Sequence, residues 1–117
     1  MSRLIEMGQA AKDASVVLAT LKTQEKNRAL TASAEALEKN IDRVLEANKK
    51  DVDAAVANGI KGAFIDRLTL TEARVLEMAK GLRDVAKLDD PIGEVLYMKT
   101  LDNGLIIGQK RVPMGVI

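Results

Sequence analysis

The side chains with the greatest capacity for chemistry in this sequence are paired carboxylates. They occur as three close pairs, Glu35 with Glu38, Asp51 with Asp53, and Asp89 with Asp90. A catalytic carboxylate pair needs one carboxyl group in an apolar setting that keeps it protonated. Lys39, Lys49 and Lys50 lie beside two of the pairs instead, so we interpret these carboxylates as parts of solvated helix faces.

Two further groups are candidates for anion binding. The loop Gly59-Ile60-Lys61-Gly62 has closely spaced glycines, but a phosphate-binding loop lies between a strand and a helix, and this one follows a helical pattern. We interpret it as a helix terminator and turn. Lys110 and Arg111 are neighbours in a predicted strand, so they face opposite sides and form no single clamp. They are typical of charges that protect a sheet edge.

The other basic and sulfur-containing side chains favour structural roles. The arginines are predicted as helix-surface ion-pair partners: Arg28, Arg43, Arg67, Arg74 and Arg83. Met7, Met78 and Met98 are predicted as core filler, and Met114 is open to the same interpretation. The chain has no Cys and no His, which excludes thiolate nucleophiles, imidazole bases and the usual zinc ligands. We therefore predict no catalytic, cofactor-binding or metal-ligating residue in this sequence.

Composition limits the remaining classes. The 117 residues are 47% hydrophobic and 30% charged, with one Phe, one Tyr and no Trp, so the core must be aliphatic. The net charge of +1 argues against binding to nucleic acid or to an anionic membrane. No stretch has the length of a membrane span or the pattern of a signal peptide. We expect a cytoplasmic protein.

Helical periodicity covers about residues 4–88 and predicts four to five helices. The first apolar stripe runs from Met7 to Leu21, and Thr23 is the predicted cap of the next helix. A second stripe continues to Val56 as one long helix or as two to three, with Asn40 and Asn48 as possible breaks. Gly59 is the predicted stop.

Two shorter helical patterns follow. A turn over 63–68 is expected to give Phe64, Ile65 and Leu68 to the core. Thr71 then caps a helix whose stripe runs from Val75 to Ala86, and Asp89-Asp90-Pro91 ends it.

After Pro91 the period becomes that of a strand. Residues of about 94–112 predict a hairpin around Asp102-Asn103-Gly104, where the turn needs positive φ. Pro113 and Gly115 then lead into a further strand from about 114. Because that apolar strand is cut off at Ile117, we favour a fragment of a larger α/β protein over a complete small domain that places a strand last.

Several ordered sequence pieces carry a resemblance to a known family. They are Met7-Gly8, Ala14–Leu21, Lys26-Asn27-Arg28-Ala29-Leu30, Leu45–Asn48 with Lys50-Asp51, Asn58-Gly59, Asp66–Thr71, Asp90–Val95, Asn103-Gly104-Leu105 and Lys110–Ile117. Together they resemble the N-terminal region of the gamma-glutamyl phosphate reductases, of the aldehyde dehydrogenase superfamily. The Asp-Pro-Ile-Gly-Glu-Val and Lys-Asn-Arg-Ala-Leu pieces are the more specific ones.

The resemblance implies an NADPH-dependent oxidoreductase that makes glutamate 5-semialdehyde from gamma-glutamyl phosphate in proline biosynthesis. In that family a cysteine attacks the acyl phosphate, phosphate leaves, and hydride reduces the thioester. Residues 1–117 would be the N-terminal part of the cofactor-binding domain, and the strand from Met114 would be the first of its sheet. A homo-oligomer is also implied, with the hairpin near the oligomerisation region. No family catalytic or cofactor residue maps onto a position of this chain.

Two hypotheses about function remain open from sequence. Under the first, the chain is the N-terminal piece of the reductase, and on its own it is inactive and binds no NADPH. Under the second, it is a non-catalytic helical interaction module whose hairpin pairs with the edge of a partner sheet.

Overall fold

The computed structural model describes residues 2–117 and has five helices followed by one hairpin. The elements are α1 (Arg3–Leu18), α2 (Thr23–Lys39), α3 (Ile41–Ala57), α4 (Ala63–Leu68), α5 (Glu72–Ala86), β1 (Val95–Thr100) and β2 (Ile106–Lys110). This confirms the predicted order of helices and then a hairpin. The chain divides into two compact units, one made of residues 24–88 and the other of the flanking segments.

The unit of residues 24–88 has a core of small side chains. Ala34 on α2, Ala55 on α3, and Val75 and Ala79 on α5 are the buried apolar residues. Leu30, Leu37, Val44 and Leu82 of the predicted stripes are half-buried around them. The buried positions are three alanines and one valine, so this core is aliphatic, as predicted, but narrow.

Asn40 separates α2 from α3 and decides between the predicted alternatives. Its backbone leaves helical geometry at φ −118° and ψ 24°, and its side-chain amide donates a 2.8 Å hydrogen bond to the Ala36 carbonyl. Asparagine competes in this way for carbonyls that a continuous helix would use. Two helices therefore form, whereas Asn48 lies inside α3 and breaks nothing.

The end of α3 is closed by the predicted glycine. Gly59 has φ +81°, its N–H donates to the Val56 carbonyl at 2.9 Å, and the Ile60 N–H donates to the Ala55 carbonyl at 3.1 Å. These two bonds are those of a Schellman motif. Glycine meets the left-handed requirement because it has no Cβ.

Two of the three residues expected to bring α4 into the core remain exposed. Phe64 is 71% exposed and Leu68 is also exposed, whereas Ile65 is half-buried. The prediction for Phe64 and Leu68 was wrong because α4 has only six residues and turns a single narrow face inward.

The start of α5 follows the prediction, and its last residue, Ala86, is the last residue of the predicted stripe. The Thr71 hydroxyl accepts a 3.2 Å hydrogen bond from the Arg74 N–H as the N-cap. The helix ends at Ala86, before Asp89, because Lys87 and Leu88 already bond in tighter turns to Asp84 and Val85.

The second unit contains α1 and the hairpin. No residue of α1 is buried, so its predicted apolar stripe is uncovered among the described residues. Thr23, the predicted cap, is the first residue of α2, and its hydroxyl donates to an Asp90 carboxylate oxygen at 2.9 Å.

In the hairpin, β1 and β2 are antiparallel, with Met98 opposite Gly108 and a bulge between Val95 and Tyr97. The Gly104 N–H donates to the Leu101 carbonyl at 2.8 Å. Gly104 has φ +83°, whereas no non-glycine among the described residues has positive φ. The loop is therefore a turn followed by one left-handed glycine. Residues 111–117 are not paired as a strand, and the strand of a larger sheet predicted from Met114 stays a prediction.

Candidate functional site

The best-defined charged contact joins two of the predicted surface residues, Glu38 on α2 and Arg83 on α5. The two guanidinium N–H groups donate to the two carboxylate oxygens at 2.6 and 2.7 Å. The hydrogen bond from Arg83, with its positive charge, lowers the pKa of Glu38, and the same bond raises the pKa of Arg83. Glu38 is thus held ionised and cannot serve as a general acid near neutral pH.

Arg74 forms a second polar centre around the connection from α4 to α5. Its guanidinium donates to the carbonyls of Asp66 and Thr69 and lies 3.1 Å from an Asp66 carboxylate oxygen. Arginine has donors enough to close such a turn without any ligand. The role of Arg74 as an ion-pair partner, predicted from sequence, is confirmed, and it extends to the backbone.

Asn48 is the residue whose role the sequence interpretation missed. Its amide nitrogen donates to the Leu68 carbonyl, and its amide oxygen accepts from the Leu70 N–H, both at 2.8 Å. The side chain therefore satisfies one backbone carbonyl and one backbone N–H of the segment between α4 and α5. The available signal was an asparagine in the middle of a long helical pattern, where its intrinsic preference is poor.

The remaining carboxylates lie at separate positions. Glu35 is paired with Lys39 at 3.9 Å, and Asp51 and Asp53 are exposed on α3. One oxygen of Asp90 accepts from the Ile92 N–H at 3.0 Å, and Asp89 is exposed. None of the three carboxylate pairs therefore lies in apolar surroundings, which agrees with the interpretation of these carboxylates as parts of solvated helix faces.

Asp84 is the second carboxylate with a perturbed pKa. Hydrogen bonds from Lys80 at 2.6 Å and Lys87 at 3.1 Å lower the pKa of Asp84, and the bond to Asp84 raises the pKa of Lys80. All three residues lie at or near the last turns of α5, where cations also interact favourably with the helix dipole. The arrangement stabilises a helix end.

The glycine loop lies beside an open depression. Gly59, Ile60 and Lys61 line it together with Phe64 and Leu68, around about 590 Å³. Its walls are mostly apolar, and the following helix α4 is too short to give a strong dipole. The loop is a helix terminator and turn, as the sequence indicated.

The basic residues near the hairpin and the remaining predicted surface arginines do not gather around a common point. The Arg111 side chain donates to Glu94 at 2.7 Å, while Lys110 lies opposite Val95 in the strand register. Arg28 lies on α2 beside Gln24, Asn27 and Thr31. Arg43 and Arg67 are exposed. None of these side chains builds a clamp for an anion.

The methionines contradict the interpretation as core filler. Met7, Met78, Met98 and Met114 are all exposed, and Met114 is 90% exposed. A helical or strand pattern shows which residues share a face, but it does not show whether anything covers that face.

The described residues contain no group of three or more acidic side chains arranged to hold a metal ion. They also contain no consecutive strand, glycine turn and helix of the kind that cradles a dinucleotide phosphate. Within residues 2–117, no helix is both long and apolar enough to cross a bilayer.

Comparison with known proteins gives close relatives over the whole chain. Gamma-glutamyl phosphate reductase of Carboxydothermus hydrogenoformans is 51% identical over all 117 residues, and that of Clostridium beijerinckii is 54% identical over the same length. The chain spans about 28% of the length of these curated relatives. No family model matches the chain.

Solved structures agree with the sequence relatives. The crystal structure of gamma-glutamyl phosphate reductase from Thermotoga maritima matches with a TM-score of 0.89 at 38% identity, over 96% of this chain and 27% of that one. The enzyme from Saccharomyces cerevisiae matches with a TM-score of 0.86 at 32% identity, over 97% of this chain and 29% of that one. The sequence and the arrangement of helices and hairpin thus lead to the same conclusion: the chain corresponds to the N-terminal portion of gamma-glutamyl phosphate reductase.

Proposed function

We propose that this chain serves as the N-terminal part of an NADPH-dependent reductase that converts gamma-glutamyl phosphate to glutamate 5-semialdehyde in the cytoplasmic biosynthesis of proline. The observation that carries the proposal is the 51% identity, over all 117 residues of this chain, to the gamma-glutamyl phosphate reductase of Carboxydothermus hydrogenoformans. The TM-score of 0.89 to the Thermotoga maritima enzyme supports it.

In this proposal the chain is a scaffold for chemistry performed elsewhere in the polypeptide. It has no cysteine to form a thioester and no imidazole to move a proton. Its perturbed carboxylates, Glu38 and Asp84, are already paired with cations. The segment from Met114 would join the dinucleotide-binding sheet as a strand, since it is apolar, β-branched and exposed as it stands.

The hairpin supports an oligomeric enzyme. Leu96 and Met98 are exposed on one strand, and Ile106 and Ile107 are exposed on the other, so both faces of the two-stranded sheet carry uncovered apolar side chains. A two-stranded sheet is marginal alone in water. We propose that a homo-oligomer covers it in the whole enzyme.

A chimera tests the proposal. The matching N-terminal segment of the Carboxydothermus hydrogenoformans reductase is replaced by this chain, and NADPH consumption with gamma-glutamyl phosphate is measured. We expect activity in the chimera and none in the 117-residue chain alone, which lacks a nucleophile.

The matched control is the same chimera with Val75→Asp, which places a charge in the alanine core and should abolish folding and activity together. A chimera that folds as the relative does but fails to consume NADPH would overturn the proposal. Turnover by the isolated chain would overturn the scaffold role.

A further inference from the structure

The chain contains two Asn-Gly pairs, Asn58-Gly59 and Asn103-Gly104. A glycine that follows asparagine leaves its backbone nitrogen unshielded by a side chain, so that nitrogen can reach the asparagine side-chain carbonyl carbon. The local environments of the two pairs differ. That difference determines which of them can react in the folded chain.

The side chain of Asn103 is polarised by the turn that contains it. The Leu105 N–H donates a 3.1 Å hydrogen bond to the Asn103 amide oxygen. A donor on a carbonyl oxygen stabilises the negative charge that develops there when a nucleophile adds to the carbon. The turn thus activates the Asn103 carbonyl carbon towards the neighbouring Gly104 nitrogen.

The Gly104 nitrogen must first be released from the Leu101 carbonyl, to which it donates at 2.8 Å. The hairpin allows this release, because both strands are exposed along their whole length and no third strand flanks them in the described chain. Exposed hydrogen bonds with little apolar burial open at low free-energy cost.

The pair Asn58-Gly59 is held more firmly. Asn58 and Gly59 both donate backbone hydrogen bonds to the last turn of α3, at 3.0 and 2.9 Å, and the Ile60 N–H adds a third. That turn contains Ala55, which is buried in the helical core. Releasing the Gly59 nitrogen requires this helix end to unravel.

We propose that Asn103 is a self-modification site in the folded chain. The Gly104 nitrogen attacks the Asn103 side-chain carbonyl carbon, the new carbon–nitrogen bond closes a succinimide ring, and the bond to the side-chain nitrogen breaks. Ammonia leaves and carries away the proton of the Gly104 amide. Water then opens the ring at either carbonyl, giving aspartate or isoaspartate without any change of oxidation state.

The product alters the hairpin in two ways. A new carboxylate appears next to Asp102, which adds like-charge repulsion at the tip. Isoaspartate also lengthens the backbone by one methylene within the turn that fixes strand register. The modification therefore loosens the pairing of β1 with β2.

Peptide mapping tests the proposal, since trypsin releases the two pairs separately, in residues 51–61 and 100–110. The folded 117-residue chain is incubated at mildly alkaline pH in ¹⁸O-labelled water, digested briefly, and analysed by mass spectrometry that resolves isoaspartate. We expect peptide 100–110 to acquire label severalfold faster than peptide 51–61, and Asn103→Gln to remove that signal.

The same chain unfolded in urea is the reference, in which both pairs should react at similar rates. Equal rates in the folded chain, or a faster peptide 51–61, would overturn the proposal. So would a folded chain whose peptide 100–110 stays unlabelled while the unfolded chain reacts.

Discussion

Arg83 on α5 donates to both carboxylate oxygens of Glu38 on α2, although 45 positions of sequence separate the two residues. The contact links α2 to α5 in the helical unit, whose buried core offers few large side chains to hold the two helices together. Because both side chains are about one-third exposed, solvent screens the pair, and its effect is best read from pH dependence.

The pH dependence of stability follows from the lowered pKa of Glu38. Its ordinary pKa is 4.5 and its folded pKa is lower, so the contribution is complete above 4.5 and is lost as pH falls through the folded value. We expect Glu38→Gln to lower the free energy of unfolding at neutral pH and to flatten its decline in acid. Urea titrations followed by circular dichroism measure both effects.

The control is Glu46→Gln, which removes an exposed pair with Lys50 within one helix. It should leave the pH curve close to that of the parent. Asp84, whose pKa is also lowered, should contribute to the slope that remains in the Glu38→Gln variant. An unchanged acid decline in Glu38→Gln would contradict the assignment.

Removing the Asn48 side chain should destabilise the helical unit. Asn48→Ala leaves the Leu68 carbonyl and the Leu70 N–H without their partner, which costs about 1–3 kcal/mol in the free energy of unfolding. The neighbouring exposed variant Lys49→Ala should change it by less than about 0.5 kcal/mol. Equal effects of the two substitutions would show that Asn48 makes no special contribution.

Glycines at two places in the same unit should respond in opposite directions. Gly81 lies inside α5 with open space where the methyl group of an alanine would lie, so Gly81→Ala should stabilise by about 0.5–1 kcal/mol. Gly59 has φ +81°, so Gly59→Ala should destabilise by about 1–2 kcal/mol. Urea unfolding gives the sign of the change in the free energy of unfolding for each variant. Changes of the same sign would contradict the left-handed role of Gly59 at the end of α3.

Gly108 is the glycine of β2 that the hairpin requires for space. A Cβ there would lie 3.0 Å from both the Met98 sulfur and the Tyr97 carbonyl oxygen. Gly108→Ala should therefore speed amide hydrogen exchange in β1 and β2 while leaving α5 unchanged. Gly8→Ala, with nothing near its Cβ, is the control and should leave hairpin exchange unaltered.

The positions of helix ends, caps and turns could be predicted from the sequence where one or two neighbouring residues determine them. Gly59, Thr71 and Asn103-Gly104 each act within a few residues, and the helix end, the cap and the turn lie where these residues indicated. Burial was not predictable to the same degree. Phe64 and Met98 belong to regular apolar patterns yet remain exposed, because a pattern defines a face without supplying its partner.

The polar contacts divide in the same way. That Arg83 and Arg74 are ion-pair partners follows from their place on helix surfaces, but their choice of Glu38 and Asp66 depends on tertiary packing. The two hydrogen bonds of the Asn48 side chain, to the backbone of Leu68 and Leu70, span 20 and 22 positions of sequence, and no residue near Asn48 identifies these partners.

The narrow alanine core has a thermodynamic consequence. Sensitivity to denaturant and the heat-capacity change both scale with the surface that unfolding newly exposes. With only Ala34, Ala55, Val75 and Ala79 buried and the surrounding leucines and valines half-buried in the described chain, that new surface is small for 117 residues. The chain should melt gradually over a wide temperature range, with a low urea m-value.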